Sequence, residues 1–64
     1  MKRTRLLQVI RRYGCYLKRE GRSHSLWCNP NTGVVEAIPR HNEIAEKLAR
    51  KILRSLAIPE TENE

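Results

Sequence analysis

His24 is the residue of this chain best suited to moving a proton. It stands in the run Gly21-Arg22-Ser23-His24-Ser25-Leu26-Trp27. Imidazole is the side chain whose unperturbed pKa lies nearest neutral pH, so it can accept or release a proton there. Lys18, Arg19 and Arg22 lie close by in sequence, and Arg40 follows a strand later. A titratable group among fixed cations meets an anion, and a phosphodiester suits it better than a cationic or apolar substrate. The same residue also fits a plainer role, as a hydrogen-bonded strand histidine at the rim of the core. The first role belongs to a nuclease, the second to a nucleic-acid- or protein-binding module.

The other candidate ligands and acids are weaker. His41 precedes a helix, where a polar residue is more often a cap or packing residue than a catalyst. Cys15 and Cys28 are too few for a disulfide scaffold and have no CxxC spacing. With the two histidines they could number four zinc ligands, but none of the short ligand spacings of structural zinc sites occurs. No metal or other cofactor is expected, and no small-molecule substrate.

Sixty-four residues make one small domain, and 39% hydrophobic content suffices for one modest core. Charge is unevenly spread. Residues 1–59 hold all 13 Lys and Arg against four acids (Glu20, Glu36, Glu43 and Glu46), a net +9, while Glu60, Glu62 and Glu64 fall in the last five residues. A body this basic attracts a polyanion through counterion release, or an acidic protein by the same field. A solvated basic surface is the plain alternative. No apolar run approaches the ~20 residues of a membrane span, and the start of the chain is too broken for a signal segment; the expected location is the cytoplasm.

The elements that position His24 follow from the apolar period. Over residues 4–13, Leu6, Ile10 and Tyr13 repeat at helical spacing, with Thr4 as cap and Gly14 as left-handed stop. From Cys15 to Ile38 the period is two, with strands expected at 15–20, 23–29 and 34–38. Gly21-Arg22 reads as a type II′ turn. That register pairs Arg19 with His24, Leu17 with Leu26 and Cys15 with Cys28. Tyr16 and Trp27 then pair on the face away from the core, free to stack on a base or anchor a partner. A loop at Pro30-Asn31-Thr32-Gly33 would turn Val35 and Ala37 inward; a slip by one would bury Glu36 instead. Asn42 would cap a second helix with Ile44, Leu48, Ile52 and Leu56 on its apolar stripe, supported by Glu43–Lys47 and Glu46–Arg50 pairs. The expected fold is α+β, in the order α-β-β-β-α: a three-stranded antiparallel sheet with both helices on one face, as in double-stranded-RNA-binding domains. The domain would span residues 1–59, with 60–64 a disordered acidic tail.

Lys18, Arg19, Arg22 and Arg40 are the candidate phosphate contacts. Lys47, Arg50, Lys51 and Arg54 read as a solvated helix face or an RNA rail.

Several segments together carry a resemblance. Gly14 closes the first helix. Then come Glu20-Gly21-Arg22-Ser23-His24-Ser25-Leu26-Trp27, Asn29-Pro30-x-Thr32-Gly33, Ile38-Pro39-Arg40-His41-x-Glu43-Ile44 and Ala49-Arg50-Lys51-Ile52-Leu53-x-x-Leu56-Ala57-Ile58. These resemble the HicA (YcfA-like) mRNA interferase toxins from about Arg5 to Ile58. The Gly-x-Ser-His-Ser and Pro-Arg-His-x-Glu-Ile segments are the most specific parts. Cys15 departs from a common aromatic, Arg22 from a common second glycine, and Ala57 from a common helix-ending glycine. The resemblance implies a double-stranded-RNA-binding-like fold, a metal-independent ribonuclease acting on mRNA, a catalytic histidine at His24 and neutralisation by a HicB-type antitoxin. A non-catalytic double-stranded-RNA-binding module is the alternative. An adaptor with no RNA role is a third.

Overall fold

The computed structural model of the chain describes residues 1–59; the tail expected at 60–64 lies outside the described residues. The order is α1 (Arg3–Arg12), β1 (Tyr16–Glu20), β2 (His24–Cys28), β3 (Val35–Pro39) and α2 (Glu46–Ser55). The strands form one antiparallel sheet in the order β1-β2-β3. This is the α-β-β-β-α arrangement expected from the sequence.

Both helices cover the same sheet face. Ser25 and Ile38 pair across β2 and β3, as do Trp27 and Glu36, so all four point to one side. On that side Arg3 of α1 donates to Ser25 Oγ, and the Arg11 guanidinium lies 5.0 Å from the centroid of the Trp27 ring. From α2, Ser55 Oγ and Lys51 Nζ donate to the Glu36 carboxylate at 2.7 and 3.3 Å. Leu6, Val9, Ile10, Trp27, Ile38, Ile52, Leu53 and Leu56 fill the layer between. The opposite sheet face has no element of the described residues on it.

The helices end alike. After α1, the Gly14 and Cys15 N–H groups donate to Arg11 and Ile10 carbonyls at 2.9 and 3.0 Å. After α2, those of Ala57 and Ile58 donate to Arg54 and Leu53 at 3.0 and 2.9 Å. Both are Schellman motifs, with the left-handed position filled by Gly14 (φ 91°) in one and Ala57 (φ 60°) in the other.

Three sequence-based expectations are corrected. First, the β1–β2 register is not a simple alternation. Leu17 pairs with Trp27 but Arg19 pairs with Leu26, which leaves Lys18 as the extra residue of a β-bulge. Arg19 therefore does not pair with His24, and Cys28 faces Tyr16 rather than Cys15. Cys15 instead turns into the helix-side core, and both thiols are free. Trp27 is 3% exposed and belongs to the core, not to an outward aromatic pair.

Second, the slip in β3 that would bury Glu36 is the one that occurs. Glu36 takes a helix-facing position on the edge strand, because Ser55 and Lys51 satisfy its carboxylate there. Val35 and Ala37 are left on the open face.

Third, α2 starts at Glu46 rather than after an Asn42 cap, with Ala45 at the N-cap. Residues 42–44 spend their backbone on the start of the chain. Asn42 O accepts from Arg3 N at 2.9 Å, Ile44 N donates to Met1 O at 2.7 Å, and Lys2 bridges to Glu43. Glu43 pairs with the Met1 ammonium and Lys2 instead of Lys47. Leu48 is left exposed, and the buried stripe of α2 is Ala49, Ile52 and Leu53.

Candidate functional site

His24 opens β2 and is exposed. It pairs with Pro39, and two residues along the same face come Leu26 and Ala37, so His24 belongs to the open face rather than to the core rim. Its Nδ1 lies 3.3 Å from Ser23 Oγ. If that contact is filled by an Nδ1 proton donated to the hydroxyl, Nε2 is the free base.

The turn before it is built on close approach. The Gly21 N–H donates to the His24 carbonyl at 2.8 Å, and a Cβ at position 21 would stand 3.0 Å from that same oxygen. Gly21 is not in the left-handed region occupied by Gly14 and Gly33, so the expected type II′ turn is replaced by one in which Arg22 and Ser23 form the tip.

A polar chain behind the turn holds it in place. Arg3 Nε donates to Pro39 O and Arg3 Nη2 to Ser25 Oγ, both at 2.9 Å. Ser25 Oγ donates to Glu20 Oε1 at 2.9 Å. The same carboxylate oxygen accepts from Arg40 Nε at 3.2 Å and from Arg40 Nη2. Arg40 then reaches over to the turn itself, giving Nη1 to Arg22 O at 2.9 Å and Nη2 to Gly21 O. Arg40, first of all, and then Ser25 hold the Glu20 carboxyl below its ordinary range. One guanidinium thus ties the residue after β3 to the end of β1 and to the backbone just ahead of His24.

The bulge at Lys18 decides what surrounds the imidazole. Without it, strict alternation from Leu17 would point Arg19 at the helices and Glu20 to the open face. With it, Arg19 shares the face of Leu26, diagonal to His24, and Glu20 turns in to Ser25 and Arg40. Of the expected phosphate contacts, Arg19 is therefore beside His24 on one face, Arg22 is at the exposed turn tip and Lys18 is exposed on the edge strand. Arg40 is engaged by the turn. Tyr16 lies on the open face, 48% exposed, and Trp27 does not. His41 is exposed in the segment after β3.

Arg3, Glu20 and Ser25 are parts of this arrangement that sequence reasoning passed over. Their partners lie far apart in the chain, so no short spacing announces them. Among the described residues no three His, Cys, Asp or Glu side chains converge as a metal site. No helix among them is long and apolar enough to cross a membrane.

The family model described as HicA toxin of bacterial toxin-antitoxin matches residues 3–58. No curated protein and no solved structure matches the sequence. The matched stretch runs from the first residue of α1 through the Schellman turn after α2, and so takes in the whole sheet and the His24 turn. The chain belongs to the HicA toxin family.

Proposed function

We propose that the protein is a toxin-type mRNA interferase, a metal-independent endoribonuclease in which His24 is the general base. The observation that carries this reading is an exposed imidazole, anchored by a clamped turn, on a sheet face that also presents Arg19. His24 Nε2 takes the proton of a ribose 2′-hydroxyl, and the 2′-oxygen forms its bond to the adjacent phosphorus. The P–O5′ bond breaks, and the leaving oxygen takes a proton from water at the open face. Arg22, at the tip of the same turn, offsets the charge that develops on the phosphoryl oxygens, and Arg19 adds to the field from the neighbouring position on the face. The products are a 2′,3′-cyclic phosphate and a 5′-hydroxyl end.

Arg40 gives N–H groups to Glu20, Gly21 and Arg22, and on that ground we assign it first of all a positioning role for the turn. A toxin of this family is paired with an antitoxin, and we propose that a HicB-type partner silences this one by covering His24, the neighbouring basic residues, or both.

The test is cleavage of a single-stranded RNA by wild type and by His24→Ala, each in EDTA, with end-group analysis. Cleavage by wild type alone, yielding cyclic phosphate, is expected. Equal cleavage by both proteins removes His24 from the mechanism. Activity lost in EDTA brings back a metal, and RNA bound but uncut by either protein marks a binding module.

A further inference from the structure

The open face of the sheet is an ordered surface. Reading along β2, its paired positions are His24 with Pro39, then Leu26 with Arg19 and Ala37, then Cys28 with Tyr16 and Val35. Successive positions on one face are two residues apart, so the steps measure about 6.6 Å and the whole run about 13 Å. Both carboxylates of the sheet, Glu20 and Glu36, are turned to the other side and held by Ser25 and Arg40 or by Ser55 and Lys51. The open face therefore carries apolar and cationic side chains and no acid. Cys28 is buried on this face although the sheet has no cover there, and contact with its thiol holds the Tyr16 phenol above its ordinary range. Tyr16 stands opposite Cys28 across the β1–β2 pair and remains about half exposed.

We infer that this face is a track for single-stranded RNA: the scissile phosphate at His24, the next phosphate at Arg19, and a base two nucleotides from the cut stacked on Tyr16. The inference rests on the reading of His24 as the reacting group and extends it to a binding subsite. Phosphates need the cation, bases need the aromatic and apolar positions, and neither tolerates a carboxylate beneath it; the face supplies this combination at a step close to the phosphate spacing of an extended strand. A duplex would keep its bases stacked on each other and offer Tyr16 none. An acidic protein would use Arg19 but would have no need of the regular step.

The test is direct binding, separate from cleavage. A fluorescent 2′-O-methyl RNA of about eight nucleotides, which has no 2′-hydroxyl to react, is titrated into wild type, Tyr16→Ala, Tyr16→Phe and Arg19→Gln, with circular dichroism as a check on folding. Tyr16→Ala is expected to weaken binding between about 5- and 100-fold, the range for one lost base stack, with Tyr16→Phe close to wild type. Arg19→Gln is expected to lower the slope of log K against log salt by about one phosphate contact. Shortening the RNA until nothing reaches past Arg19 is expected to erase the Tyr16 effect. Unchanged affinity of a folded Tyr16→Ala overturns the proposal, as does a Tyr16 effect that survives the shortening. A Tyr16 effect confined to antitoxin binding overturns it as well. If wild type proves unable to cut RNA yet these binding effects hold, the track stands and the assignment of His24 falls.

Discussion

Ala57 occupies the position after α2 where Gly14 stands after α1, and exchanging it for glycine is expected to stabilise the protein. Both residues complete a Schellman motif with φ above +50°. At Gly14 an added Cβ would meet nothing within 4 Å, so the penalty for a side chain at such a site is one of conformation and not of contact. That penalty is about 1–2 kcal/mol for an L-residue in the left-handed region. Glycine returns part of it through the greater freedom of the unfolded chain, about 0.5–1 kcal/mol. The net gain for Ala57→Gly is therefore about 0.5–1 kcal/mol, which in a domain of this size raises Tm by about 2–8 °C. Gly14→Ala is the mirror experiment and should lower stability by a similar amount. Thermal unfolding followed by circular dichroism measures both, supported by urea midpoints at constant m. A Tm for Ala57→Gly equal to or below wild type, with Gly14→Ala behaving as stated, refutes the reasoning. It would mean that the packing of Ile58 against Leu53, not the backbone angle, limits that helix end.

Two further outcomes concern the clamp. Glu20 has its carboxyl held below the ordinary value of 4.5 in the folded state, by Arg40 and then Ser25. A depressed folded pKa contributes stability that is complete above 4.5 and lost as pH falls through the lower folded value. The Tm advantage of wild type over Glu20→Gln should therefore be constant above about pH 5 and shrink as acid is added; an advantage that persists at low pH would show that shape rather than charge holds the turn. Gly21→Ala forces the His24 carbonyl to yield a few tenths of an ångström, since the new Cβ starts 3.0 Å from it. Cleavage should fall about tenfold, given that a displacement of about 1 Å at a reacting group costs about 10²-fold. Full activity in Gly21→Ala would mean that the imidazole does not depend on this backbone contact.

Much of the architecture was legible because it rests on local chemistry. The 3.6-residue period of Leu6, Ile10 and Tyr13, the period of two between Cys15 and Ile38, and the stops at Gly14 and Gly33 placed each element within a few residues. His24 was also placed correctly at the start of the second strand. What failed was long-range satisfaction. No local signal marks Lys18 as a bulge, because the residue gains its meaning only when Glu20 finds Ser25 and Arg40. Glu36 looked unburiable until Ser55 and Lys51, far along the chain, supplied its donors. Asn42 had the chemistry of a cap, but its carbonyl went to Arg3. The candidate site inherited these errors. Arg19 does lie on the imidazole's face of the sheet, but it pairs with Leu26 rather than with His24, and the contacts of Arg40 with Glu20 and the turn have no local signal in the chain.

Trp27 gives the protein an internal optical probe. It is the single tryptophan of the chain, it is 3% exposed, and the Arg11 guanidinium lies over its ring. Its emission should therefore shift to the red when α1 comes away from the sheet, and report folding with no added label. The ring is also on the side of the sheet opposite His24, so a ligand laid on the open face will leave that emission nearly unchanged. Tryptophan emission will follow the integrity of this fold faithfully while remaining almost blind to what binds the open face.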